Sequence, residues 1–233
     1  EFTDDKYIMM ATRQGVVKKT PLLEYSHPRA GGILAVNLDE GDKLIEVALT
    51  DGKQDVLLAS KNGKSIRFRE EDARPQGRVT RGVRGMTLED DDHVIGMEIV
   101  NDMTGSTIFT VTENGFGKRT ELGEYRSQSR GGKGVITIKT TDRNGCVVGI
   151  KQVTNENDMM LISDQGKILR VPVAGFSIIG RNTQGVRLMV TEADERIVAV
   201  AKLAEKDEPE EGADDELVDD IIDTDPVTED SDE

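Results

Sequence analysis

The chain has one cysteine, two histidines and no tryptophan in 233 residues, and aromatic residues make up only 3% of it. A single Cys146 excludes an intrachain disulfide framework and any cysteine-rich zinc site, and it suits a reducing cytoplasm. It lies within an apolar run and reads as a small core residue. No apolar run approaches the roughly 20 residues of a spanning helix, and no signal-peptide segment is visible, so no membrane partner is expected. His27 and His93 stand in no metal-ligand or triad spacing, and the acidic pairs are turn residues. No Walker motif occurs, and Gly131-Gly132-Lys133-Gly134 follows a polar loop without the strand-to-helix setting of a phosphate loop. No catalytic constellation, cofactor or metal site is therefore expected in this chain. With 36% hydrophobic residues, it is thin for one thick core but adequate for small repeated units that share one. It opens on Glu1 rather than Met, as an internal fragment would.

What is plentiful is acid, and its location matters. The net charge is -15, and residues 205–233 hold 16 acidic residues against one lysine. That segment carries the whole imbalance, which leaves 1–204 with 29 residues of each sign. Its composition cannot bury enough surface to order itself. We read 1–204 as the folded domain and 205–233 as a disordered acidic tail.

The folded part repeats. "YIMMATRQGVVKKT", "VLLASKNGKSIRF", "IFTVTENGFGKRT" and "MMLISDQGKILRV" share one plan, a β-rich run on either side of an Asn-Gly or Gln-Gly pair. Gly15, Gly63, Gly115 and Gly166 stand 48, 52 and 51 residues apart. A second glycine follows each, at Gly32, Gly82, Gly134 and Gly185. Asn-Gly between apolar runs signals a hairpin, because glycine accepts the positive φ that the turn requires. Two further β-rich runs complete each unit, giving four strands and repeats at about 6–54, 55–105, 106–157 and 158–204. No segment shows a 3.6-residue period. Units of this size cannot bury their own faces, so the expected fold is all-β, propeller-like, with about four four-stranded blades rather than a sandwich.

The cations recur with the repeat. Four residues past each hairpin glycine stand Lys19, Arg67, Arg119 and Arg170. Four before the second glycine stand Arg78, Arg130 and Arg181. Equivalent positions in equivalent blades share a height and radius, so the columns are expected to form a positive belt on the rim. Such a belt suits duplex DNA bound through its phosphates, and too few aromatics are present for single-strand stacking platforms. "QSRGGKG" combines Arg130 and Lys133 with three glycines, which would let backbone N–H groups and cations approach phosphate together.

Taken together, the fifty-residue units, "GFGKRT", "IIGRNTQGV", "TRGVRG" and the acidic tail resemble the C-terminal repeat family of DNA gyrase and topoisomerase IV A subunits, over essentially all of 1–204. The resemblance implies a β-pinwheel whose blades exchange strands and wrap duplex DNA around the rim. It also implies a parent enzyme that introduces negative supercoils, with ATP, Mg and the catalytic residues in other domains. The implied partners are duplex DNA, the B subunit of a heterotetramer and the remaining domains of the A subunit. The implied location is the bacterial cytoplasm, in association with the nucleoid. The family's hallmark box is Q-R-R-G-G-K-G. Gln128, Arg130, Gly131, Gly132, Lys133 and Gly134 match it, while Ser129 replaces the first arginine. The family places its box in the first of six blades; here the near-match is in the third of four units, so two N-terminal blades are expected to be missing. The near-box and the long tail point to gyrase rather than to topoisomerase IV, whose related domain lacks a good box. A kelch-like protein-docking platform is the alternative of another class.

Overall fold

The computed structural model describes residues 2–101 and 105–203, so the acidic tail lies outside the described residues. The strands are β1 (Tyr7–Thr12), β2 (Val16–Pro21), β3 (Leu44–Thr50), β4 (Asp55–Ser60), β5 (Lys64–Arg69), β6 (Val83–Arg84), β7 (Val94–Val100) and β8 (Thr107–Thr112). They continue with β9 (Phe116–Glu121), β10 (Val135–Ile136), β11 (Val147–Val153), β12 (Asp158–Ser163), β13 (Ile168–Pro172), β14 (Val186–Arg187) and β15 (Ile197–Lys202). The helical elements among the described residues are four short 3-10 turns. None is long and apolar enough to cross a membrane.

The fold is all-β, in four blades. Their strand orders are β3-β1-β2-β6, β10-β5-β4-β7, β11-β8-β9-β14 and β13-β12-β15. Each blade opens with the expected hairpin. In the first three a three-residue loop ends on a glycine at φ near +80° (Gly15 +83°, Gly63 +82°, Gly115 +80°), the left-handed position such loops require; in the fourth, Lys167 follows Gly166 before β13 begins.

The third run of each repeat behaves differently from the simple four-strand unit. It does not stay in its own sheet. β6, from the second unit, pairs with β2 of the first; β10 pairs with β5, and β14 with β9. Every internal blade is thus completed by a two-residue strand from the unit that follows it. The last blade has three strands among the described residues, and "ILAVNL" at 33–38 forms no strand at all.

The donated strands leave the following backbone amides next to the previous hairpin. Gly85 and Met86 N–H both donate to Gly15 O (2.8 and 3.1 Å), Thr137 and Ile138 to Gly63 O (2.8 and 3.2 Å), and Leu188 and Met189 to Gly115 O (2.8 and 3.1 Å). One carbonyl with two lone pairs takes two donors in every joint. The approach is so close that a Cβ at Gly15 would sit 2.7 Å from Met86 O.

Blade faces supply the rest. Successive residues of a strand point to opposite faces, and inner blades are apolar on both. Val56 and Leu58 of β4 join Met9, Ala11 and Val17 of the first blade, whereas Leu57 and Ala59 join Ile108, Val147 and Ile150 of the third. Phe109 and Val111 then meet Met159 and Leu161 of the fourth. The core is three thin layers, one in each gap between blades, which is how a chain this poor in apolar residues folds. β3, β7, β11 and β15 neighbour one another along the inside, so β6, β10 and β14 lie outermost.

Candidate nucleic-acid interface

The first cation column turns inward. Lys19 and Arg119 are 4% and 3% exposed, and their charged ends hold the 3-10 turn of the next blade. Lys19 Nζ donates to Glu70 O (3.0 Å) and lies 5.1 Å from the centre of the Tyr7 ring. Arg67 Nη1 reaches Leu122 O and Tyr125 O, both at 3.4 Å, while its Nε bonds Asp55 at 2.7 Å. Arg119 Nη1 donates to Val173 O (3.1 Å) and Phe176 O (3.2 Å), with Asn155 Oδ1 at 2.7 Å on Nη2. The backbone of the same residues is bridged to the next unit, with Gln76, Gln128 and Ile179 N–H donating to Lys19, Arg67 and Arg119 O. Arg170 has the same position in the last blade but stays 54% exposed, paired with Asp158 of its own hairpin.

The second column is a staple as well. Arg78, Arg130 and Arg181 each donate Nη1 to a carbonyl in the preceding unit, Leu34 O (3.1 Å), Arg84 O (3.0 Å) and Ile136 O (2.8 Å). These three acceptors are equivalent residues of the donated segments. Arg130 Nε also holds Asp72 O at 2.9 Å. Unlike Lys19 and Arg119, these arginines are half-buried, as Arg67 is.

Lys18 and Lys118, which cluster with the columns in sequence, are also interior. Lys118 is fully buried; its Nζ donates to Gly180 O (2.6 Å), Arg181 O and Thr183 Oγ1 (3.3 Å). Burial pushes its pKa down to about 8 from 10.5, against the weaker pull of Glu124. Lys18 binds Ala35 O (2.7 Å) and Arg78 O, and burial lowers its pKa too.

"QSRGGKG" is the turn that leads into β10. Gly131 N–H donates to Gly85 O (2.6 Å), and Thr87 closes on Gly131 O and Gly132 O (2.6 and 2.9 Å). Gly131 and Gly134 adopt φ of +82° and +74°. Gln128, Gly131, Gly132 and Gly134 are half-buried, and Lys133 is exposed. The turn is architectural, and the Gly131 N–H is bonded within the protein.

Exposed cations do lie on the outermost strands and turns: Arg81, Arg84, Lys133 and Arg187. Arg81 meets Asp39 at 2.8 Å while 73% exposed. Arg187 lies 4.7 Å from the centre of the Phe116 ring, with Arg143 at 4.8 Å from the same ring, which orients two guanidinium groups. Arg84 and Arg187 stand two residues past the second glycine, where the other units have Leu34 and Ile136. That column is half-filled, so it carries little signal in the sequence.

A family model described as "DNA gyrase C-terminal domain, beta-propeller" matches residues 6–51, 54–101, 106–154 and 157–204. The chain belongs to that family. The curated A subunit of DNA gyrase from Klebsiella oxytoca is 49% identical over 211 residues, 91% of this chain and 24% of that protein. The chain thus spans about a quarter of the curated relatives it matches. Among solved structures it is similar to the C-terminal domain of DNA topoisomerase IV (TM-score 0.82, 25% identity, 87% of this chain and 63% of that one). It is also similar to the DNA gyrase A C-terminal domain (TM-score 0.78, 25% identity, 88% and 68%). In this domain Arg84, Lys133 and Arg187 are exposed, whereas Lys19, Arg67, Arg119, Arg78, Arg130 and Arg181 bond the backbone of a neighbouring unit.

Two consequences can be measured. Arg119→Met leaves several buried carbonyls unpartnered and lowers unfolding stability in urea by at least about 3 kcal/mol, whereas Arg170→Met, at an exposed pair, costs within about 1 kcal/mol. Equal losses would contradict the staple assignment. Lys118 loses its proton in the folded chain above about pH 8 and in the unfolded chain only near 10.5. The unfolded state therefore binds more protons in that window, and stability gains a rising contribution from pH 8 to 10.5. Lys118→Met removes that rise, which parallel melts across the window would detect.

Proposed function

We propose that this domain binds duplex DNA along its outer rim without reading sequence and bends it, as the wrapping element of a gyrase A subunit. The observation that carries this reading is the placement of Arg84, Lys133 and Arg187 on the outermost strands and turns, with the guanidinium of Arg187 held over Phe116. Arg130 and Arg181, half-exposed behind them, supply the second rank. Lys19, Arg67 and Arg119 act indirectly, by fixing the spacing of the blades and hence of the rim charges.

Curving 20–30 base pairs by 40–90° costs on the order of 1–6 kcal/mol, and counterion release at several phosphate contacts offsets it. Gyrase rather than topoisomerase IV is favoured by the 49% identity to the Klebsiella gyrase chain, although the fold fits both. The supercoiling activity, the ATP and Mg that serve it, the B-subunit partner and the nucleoid-associated cytoplasmic location belong to the parent enzyme on this reading. The near-box turn contributes Lys133 and the exposed edge of Arg130 to the DNA face.

The test is duplex binding across a salt series, joined to ligase closure of a nicked plasmid in the presence of the domain. Affinity should fall as salt rises, and the closed circles should carry a positive linking shift. Changing Arg84, Lys133 and Arg187 together to Ala should flatten the salt slope by about 0.9 for each phosphate no longer neutralised, with the melting temperature unchanged. Salt-independent binding would overturn the reading.

A further inference from the structure

The blades are joined differently at their two edges. At the rim the joint is made of backbone bonds: each donated strand and the two amides after it lock one unit to the preceding hairpin. At the inside, β3, β7 and β11 are the end strands of their sheets, each paired with a strand on one side only. Side chains therefore set the spacing there. A joint fixed along its outer edge turns as its inner edge opens. With four strands about 4.8 Å apart, 1 Å of movement at the inside rotates one blade against the next by roughly 4°.

Two of the three inner gaps close by packing. A Cβ on Gly96 would lie 3.5 Å from Ile150 of the next blade, and one on Gly149 would lie 3.2 Å from Val200. Each glycine thus opens a place for an apolar side chain. The strand registers put Glu46 where these glycines stand in the second and third blades. Its carboxylate is answered from two blades away. Lys151 Nζ, on β11, donates to Glu98 Oε1 of β7 at 2.7 Å and lies 4.0 Å from Glu46 Oε1 of β3. The other Glu98 oxygen accepts Gln152 N–H at 3.0 Å. Burial works against the charge of Lys151, but Glu98 and then Glu46 outweigh it and hold its pKa above the ordinary lysine value. In the first and fourth blades the position of Glu98 and Lys151 is taken by Ala48 and Ala201, so the contact is made once among the described residues.

We propose that Lys151 is a positioning residue: one ammonium between two carboxylates clasps the inner edges of the first three blades and so sets their angle. Resting on the DNA-bending reading above, that angle fixes the curvature of the rim and hence the bend of a duplex laid along it. Lys151 is on the inside of the arc, across the blade from Arg84, Lys133 and Arg187, so its part in DNA binding is geometric. Without it, Glu46 and Glu98 stand half-buried with like charge near one another. Their repulsion, stronger there than in bulk water, opens the inner edge and flattens the arc.

Two measurements on the 233-residue chain test this, one of them without DNA. Spin labels on Val79→Cys and Val190→Cys, both exposed, report the span of the arc from the first blade to the third in a Cys146→Ser background. Lys151→Met should lengthen the label distance, Lys151→Glu should lengthen it further, and Lys151→Arg should leave it in place. Glu46→Gln added to Lys151→Met relieves the repulsion and should bring the distance back. Energy transfer between the ends of a bound duplex of about 30 base pairs should report a smaller bend in the same order of variants, with the salt slope unchanged. Melting of each free variant is the folding control; if Lys151→Glu unfolds, Lys151→Met carries the test. A label distance that stays put in Lys151→Met, or one that lengthens while the bend does not change, would overturn the proposal. A wild type that binds duplex without bending it would instead overturn the reading on which the proposal rests, and the label distance would still decide the clasp.

Discussion

One hairpin carbonyl in each unit, bonded by two backbone amides of the next, is the constraint on which the molecule depends. Gly15, Gly63 and Gly115 can place that carbonyl only because a positive φ is open to them and because no Cβ stands in the way of the incoming strand. The donated strand of two residues is too short to hold by its ladder bonds alone. Its stability comes from the apolar layer beneath it, from the paired amides and from the arginine or lysine that reaches across to the next turn. No blade is complete without its neighbour, so folding stability resides in the joints, as expected for repeat architectures.

The cations have two jobs, and burial separates them. A guanidinium taken out of water is costly unless its donors are matched, and Arg119 is matched by two carbonyls, an amide oxygen and a threonine hydroxyl. Four of its five N–H donors are thus taken up inside the protein, and it is only 3% exposed. Arg84 and Lys133, on exposed turns and outermost strands, face no such demand. Several cations of the folded part point inward, and part of its acid lies in turns such as Asp42 and Asp92, bonded to backbone amides.

The repeat was legible because the left-handed glycine recurs wherever the hairpin does, and that requirement is local. The all-β blade class followed from it. Strand donation was not legible from residues, since nothing in "VRGMTL" or "VITIKT" says which sheet a two-residue strand joins; only the family resemblance raised it. The cation columns were found at the right positions but with the wrong direction for Lys19, Arg67 and Arg119. Recurrence marks a structural demand as readily as a binding one, and the next blade's 3-10 turn, which supplies the demand, lies about fifty residues away. In the sequence Arg84 and Arg187 register only as members of the cation clusters around the columns, because their own position is filled by a cation in two of the four units.

Native-state amide hydrogen exchange on dilute protein tests the central claim most directly. Met86, Ile138 and Met189 N–H, bonded to the preceding hairpin, should exchange as slowly as the core of β4 and β8. Val36, their counterpart with no preceding blade among the described residues, should exchange freely. Fast exchange at Met86, Ile138 and Met189, or equal protection at Val36, would contradict an arc held together by donated strands.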